Sequence, residues 1–359
     1  MTATSTRRHQ TPILRPGEFI LPTPRMRLRY RSIATGAVLL VVLLLALVVE
    51  VGQGDYPIPA AEVIQSLLGG GNDFDRIVIL EWRMPRALVG ILVGVGLAAA
   101  GAVTQTLARN ALASPDIIGI TMGASAFAVG AIVTFPAFAA HIYGVPIAAI
   151  TGGLVTSGLV WILAWRGGMD PLRLVLIGVG MNAIAGAAVT YFLVRADINL
   201  AAEASAWLAG SLTGRTWSHV IPVALTSTLG VGIVVALARS LHALSFGDDI
   251  AKALGVPADR VRAALWCAAI VMAAGAVAAA GPVGFVALAA PQLARLISGE
   301  PNPPLLASGL CGGALVLVAD LAGTALFSDT SFPVGVVTAV LGAPFLIFCL
   351  VQANRKSTV

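Results

Sequence analysis

Apolar runs roughly twenty residues long, each closed by a short polar break, recur between residues 33 and 352 of this 359-residue chain. A run of about that length crosses the hydrocarbon core of a bilayer as an α-helix, and a spanning helix satisfies its own backbone hydrogen bonds. The rhythm predicts an all-α integral membrane protein. Ten spans are expected, near 33–51, 86–107, 116–135, 146–165, 174–194, 219–238, 261–280, 284–298, 305–327 and 334–352. The eighth is short, and Gly281-Pro282-Val283-Gly284 sets it apart from the seventh. Adjacent Gly and Pro favour a tight turn between two helices over one kinked helix. Charged residues form only 11% of the chain, against about 25% in soluble domains, which excludes a water-covered globule.

The first run is read as a retained helix. It is long for a signal peptide and ends in Val-Val-Glu-Val-Gly-Gln-Gly, without a small-residue cleavage site. The net charge of +5 does not indicate a nucleic-acid partner, because seven of the 22 basic residues fall in the first 31 positions, directly ahead of an apolar run. That is the pattern of a cytoplasmic anchor beside membrane lipid. With both termini inside, 17 Lys and Arg are cytoplasmic and five (Arg76, Arg83, Arg86, Arg195 and Arg215) lie outside, in line with the positive-inside rule. The expected organisation is an Arg-rich tail over 1–32, disordered or lying on the membrane surface, a ten-helix domain over 33–352 and a cytoplasmic tail over 353–359. Ala-Ala-Gly-Ala-Val occurs at 99–103 and at 273–277, as an inverted repeat of five helices would leave it. In a chain this rich in Ala and Gly, chance explains it equally well.

Catalytic chemistry is not legible. Neither lysine, Lys252 or Lys356, follows a glycine, so there is no P-loop and no ATP site of that kind. The four histidines (His9, His141, His219 and His242) are scattered, and Cys267, Cys311 and Cys349 form no C-x-x-C pair. No enzyme activity, cofactor or metal is expected. Within the spans Asp320 is almost the only ionisable residue noted. It is either the coupling site of an ion-driven carrier or, more ordinarily, a helix-packing residue bonded to a neighbour.

The longest inner segment, 239–262, mixes apolar residues (Leu241, Leu244, Phe246, Ile250 and Leu254) with charge. Asp248 and Asp249 open a stretch that Gly255 and Pro257 close, which is helix punctuation. A short amphipathic surface helix is expected there, resting on lipid or serving as a docking knob for a cytoplasmic partner.

Several anchors then occur in order: Arg83-Met84-Pro85-Arg86; Gly101 with Gln105, Asn110, Leu112, Ala113 and Pro115; Gly119 with Gly123-Ala124; Trp207 with Gly210-Ser211-Leu212; Leu244-Ser245-Phe246-Gly247-Asp248; Ala253-Leu254-Gly255-Val256; Gly281-Pro282-Val283-Gly284-Phe285; and Pro333-Val334-Gly335-Val336-Val337-Thr338 before Gly342-Ala343-Pro344. By these the chain resembles the permeases of bacterial ATP-binding-cassette (ABC) importers for iron-siderophores, haem and vitamin B12. The run Phe285 to Arg295 looks like one partner of the two-gene ferric siderophore permeases, including the ferric enterobactin type. The resemblance implies a type II ABC importer permease fold in the bacterial cytoplasmic membrane. It also implies two ATPase subunits below, an extracytoplasmic siderophore-binding protein above and a second permease subunit beside it, with a heterodimer favoured over a homodimer. The implied cargo is a ferric siderophore, with vitamin B12 or haem as the alternative. Leu244, Ser245, Phe246, Gly247, Asp248, Asp249, Leu254 and Gly255, within a coupling loop over 239–260, would contact the ATPase. Arg83 and Arg86 would dock the binding protein, and Gly178, Met181 and Asn182 on the fifth span would border the cargo path. The vitamin B12-type pattern has arginine where this chain has Thr324, glutamate where it has Ser331, and Pro-His where it has Pro291-Gln292.

Overall fold

The computed structural model of the chain describes residues 18–20, 27–165, 171–325 and 332–357. The first 17 residues, Arg25, Arg166 and Ser331, which entered the charge count or the resemblance, lie outside the described residues. Apart from a short antiparallel strand pair, β1 (Glu18–Ile20) and β2 (Arg27–Arg29), the described regular elements are helices. They run α1 (Tyr30–Gly52), α2 (Ala60–Leu67), α3 (Asp73–Ile77), a π-helical turn (Val78–Arg83) and α4 (Met84–Ala108). A 3₁₀ turn (Pro115–Ile118) leads to α5 (Ile120–Thr134), α6 (Pro136–Ala139), α7 (Gly144–Ala164), α8 (Pro171–Arg195) and α9 (Ile198–Leu208). Then follow α10 (Trp217–Ala236), α11 (Ala238–Ser245), α12 (Asp248–Ala253), α13 (Ala258–Ala280), α14 (Val286–Ser298), α15 (Leu305–Ala325) and α16 (Val334–Ser357).

Each of the ten expected spans overlaps one of these helices over its described residues. Seven are long and apolar enough to cross a membrane: α1, the continuous Asp73–Ala108 helix, α7, α8, α10, α13 and α15. Helices α5, α14 and the first part of α16 are apolar but shorter. The Gly-Pro-Val-Gly stretch is a turn between α13 and α14, with Gly281 at φ 74° and Phe285 at φ 66°.

Helices α4 and α13 are buried over most of their length and form the centre. Helices α1, α14 and α15 pack on one side of it, and α5, α7 and α10 on the other. The outer helices turn large apolar residues outward, among them Val41 and Leu45 on α1 and Leu225 and Leu229 on α10. That is the covering a lipid solvent asks for.

The π-helical turn has a local cause. Pro85 has no N–H, and its ring displaces the carbonyl one turn back. The Met84 amide bonds to the Ile79 carbonyl, five residues back, so the ladder widens by one residue and the helix continues. The Leu80 carbonyl, which a proline cannot serve, accepts from Trp217 Nε1 at 3.2 Å. The Asp73–Ala108 helix is thereby fastened to α10 near the Arg83-Met84-Pro85-Arg86 anchor.

Helices α4 and α15 meet backbone to backbone. A Cβ on Gly94 would collide with the Gly312 carbonyl, and one on Gly312 with the Gly94 carbonyl. Small residues at such a crossing let helices approach within a bilayer. Gly312→Leu is expected to cost about 3 kcal/mol or more, since neither main chain can retreat. Gly158→Ala, whose added methyl meets nothing within 4 Å, is the neutral control. Thermal unfolding of the purified proteins in detergent checks both.

Candidate functional site

Two clusters of charged and exposed side chains lie at opposite ends of α4. The first surrounds α11 and α12. Leu244 and Ala251 are buried and pin this segment to the body. Gly247, at φ 113°, makes the break between the two helices, a conformation that an L side chain resists. Asp248 accepts from Arg262 Nη2 of α13 at 2.5 Å, which ties the start of α12 inward. Ser245 Oγ donates to the His242 carbonyl at 2.7 Å and accepts from Asn302 Nδ2 at 3.0 Å.

The opposite face of the segment has no cover in the single chain. Phe246, Ile250 and Leu254 are 59%, 50% and 67% exposed. Ile250 and Leu254 lie one turn apart on α12 and its cap, and Phe246 closes α11 just before the Gly247 break; this exposed apolar row along the segment is its ridge. Asp249, Lys252 and Gly255 lie exposed beside it. The eight residues expected here thus divide by role. Leu244 and Asp248 anchor, Ser245 joins a neighbouring loop, Gly247 shapes the turn, and Phe246, Asp249, Leu254 and Gly255 are presented outward. Ile250 belongs with them. Its apolar character, four residues ahead of Leu254, is the available signal.

The second cluster joins α1, α4 and α15. Arg83 donates from Nη1 to the Val51 carbonyl at 2.9 Å and from Nη2 to the Tyr56 carbonyl at 2.6 Å, so it serves acceptors at and just past the end of α1. Arg86 grips Asp320 with a two-point fork, Nε to Oδ2 at 2.8 Å and Nη2 to Oδ1 at 2.9 Å. Its Nε is also 3.8 Å from Glu50 Oε1. The side chains of Asp320 and Glu50 are 2% and 7% exposed and that of Arg86 is 25% exposed. Paired in this way, Asp320 is bonded to a neighbouring helix, the more ordinary of the two readings given to it. Glu50, absent from the ionisable residues expected to matter, lies inside the first span, where a lone acid is itself the sign of a buried partner. Thr324 donates back into its own helix, to the Asp320 and Leu321 carbonyls.

On α8, Gly178 is buried and Met181 and Asn182 are half-buried. Asn182 Nδ2 donates to the Asp116 carbonyl at 3.0 Å, so it faces the turn before α5. The face of α8 that no other described helix covers carries Val179, Gly180, Ala183, Ile184 and Ala187. Among the described residues no group of three or more His, Cys, Asp and Glu is placed to hold a metal ion.

Comparison with known proteins bears on the family and the fold. A model of the FecCD transport family matches residues 39–352. The ferric enterobactin transport system permease protein FepG of Escherichia coli (strain K12) is 41% identical, over 85% of this chain and 91% of its own. The Fe(3+)-citrate import system permease protein YfmE of Bacillus subtilis (strain 168) is 36% identical, over 92% of this chain and 98% of its own. Among solved structures, one described as a metal-chelate type ABC transporter in an inward-facing conformation superposes with a TM-score of 0.79 at 28% identity, covering 89% of this chain and 99% of that one. With a family model covering most of its length and relatives aligned nearly end to end, the chain belongs to the FecCD transport family.

Proposed function

We propose that this chain is a permease subunit of an ABC importer that moves ferric siderophores across the bacterial cytoplasmic membrane. It works without an ATPase site of its own, as one of ten-helix permease subunits, with a second and different permease beside it. The observation that carries the reading is the Phe246–Ile250–Leu254 ridge, mounted on a segment anchored from behind by Leu244 and by the Asp248–Arg262 pair. An exposed apolar ridge on a firmly held helix is a surface for a partner. A pair of ATPase subunits that close on ATP would push on it and bias which side of the permease is open.

The other end of the molecule, with Arg83 and Arg86, then faces outward and receives an extracytoplasmic siderophore-binding protein, toward which Arg86 presents only the exposed part of a guanidinium whose fork is taken by Asp320. The cargo passes along α8. Its uncovered face at Gly180, Ala183 and Ala187, one step around the helix from Gly178, Met181 and Asn182, is smooth and uncharged, as suits a bulky hydrated chelate. Names of relatives that specify ferric enterobactin and Fe(3+)-citrate support a ferric chelate over vitamin B12 or haem.

Cysteine placed at Asp249 tests the arrangement. In intact cells it is expected to resist a membrane-impermeant maleimide from outside and to react once the membrane is opened. Labelling from outside would reject the reading.

A further inference from the structure

The ridge and the arginine cluster lie at opposite ends of the molecule, and side-chain contacts at both ends converge on one helix. At the ridge end Asn302 donates to Ser245 at 3.0 Å. Asn302 lies in the loop Glu300-Pro301-Asn302-Pro303-Pro304, directly before α15. Three prolines in five residues hold φ fixed at most of its joints, so the loop is a stiff strut.

Helix α15 then rises through the body for about 30 Å without an internal proline. Midway it is locked to α4 at the Gly94–Gly312 crossing. At its far end Asp320 holds Arg86.

We propose that Asn302 is a positioning residue. It passes displacement of the α11–α12 segment through the proline loop to the α4–α15 pair, and so to the setting of Arg86 at the opposite surface. The inference rests on the reading that the segment meets an ATPase and that Arg86 meets the binding protein. Packing between helices makes α4 and α15 one body, and the Ser245–Asn302 hydrogen bond joins its loop to the segment, beside the direct packing of α11 on α4.

Linkage gives the test, because two coupled sites must change each other's affinity by the same factor. Affinity of the external binding protein for the complete transporter in nanodiscs is measured with and without a non-hydrolysable ATP analogue. Wild type is expected to show different affinities in the two states. N302A is expected to bring their ratio several-fold closer to one while leaving the nucleotide-free affinity unchanged. Asn302→Gln, which keeps the amide donor, should restore the difference, and Pro301→Gly with Pro303→Gly should erase it by softening the strut. A wild-type ratio of one, or an N302A ratio equal to wild type, would overturn the proposal. So would a fall in nucleotide-free affinity matching the change in ratio, since that is loss of fold. Failure of the docking reading itself appears elsewhere, in the variants that replace Arg86.

Discussion

Replacing Phe246 and Ile250 together by aspartate is expected to abolish siderophore uptake while the protein still folds and reaches the membrane. Both side chains are at least half exposed in the single chain, so the substitution removes little internal packing. Against an ATPase, the two would bury the half of their apolar surface still exposed, roughly 0.8–1.5 kcal/mol each. Losing both is a factor of about ten to a hundred in affinity. Co-purification of the ATPase with a tagged permease should fall accordingly, with unfolding temperature within error of wild type. Leu244→Asp is a contrasting control. Leu244 is buried, and its charge variant should lower the unfolding temperature as well. Wild-type levels of bound ATPase in the Phe246/Ile250 variant would mean that the ridge rests on lipid.

The second large effect concerns Arg86. Arg86→Met alone leaves Asp320 and Glu50 buried without their cation, and breaking a buried pair from one side costs about 3–5 kcal/mol. Most of the folded protein should be lost. Replacing the whole cluster (Arg86→Met, Asp320→Leu and Glu50→Leu) removes every buried charge in it and should return stability to within about 2 kcal/mol of wild type. The stable triple variant then isolates the outward role. Binding-protein affinity is expected to drop several-fold with the loss of the partly exposed Arg86 charge. Unchanged affinity in the triple variant would assign Arg86 to holding α1, α4 and α15 together and to nothing beyond that.

Only one of these two sites could be anticipated in kind. The segment around Phe246 was legible because its signals are local. Acids open a helix, glycine and proline close it, and apolar residues recur at helical spacing within a dozen positions. Arg86 was noticed as an outward cation, but its grip on Asp320 joins residues 234 positions apart, and no local pattern encodes that pairing. The same holds for Asn302. Its sequence surroundings identify a proline-rich loop, while its partner Ser245 is set by how the loop and the α11–α12 segment fold back on the body.

Hydropathy and punctuation by themselves determined that this chain is a bundle of membrane helices, roughly where the long apolar helices run, though not the short α2, α3, α6 and α9, and where the seventh and eighth separate. A bilayer leaves no other way to satisfy the backbone over twenty apolar residues. Tertiary structure alone decided which face of each helix is covered. Within an apolar helix every face reads alike, so the sequence could not tell the buried Gly178 from the uncovered Gly180 on α8. It could not foresee that α4 and α15 touch through Gly94 and Gly312, nor that Glu50 joins Arg86 and Asp320. Those outcomes follow from close packing among neighbours distant in the chain, where one methyl group or one unpaired charge separates a contact that forms from one that cannot.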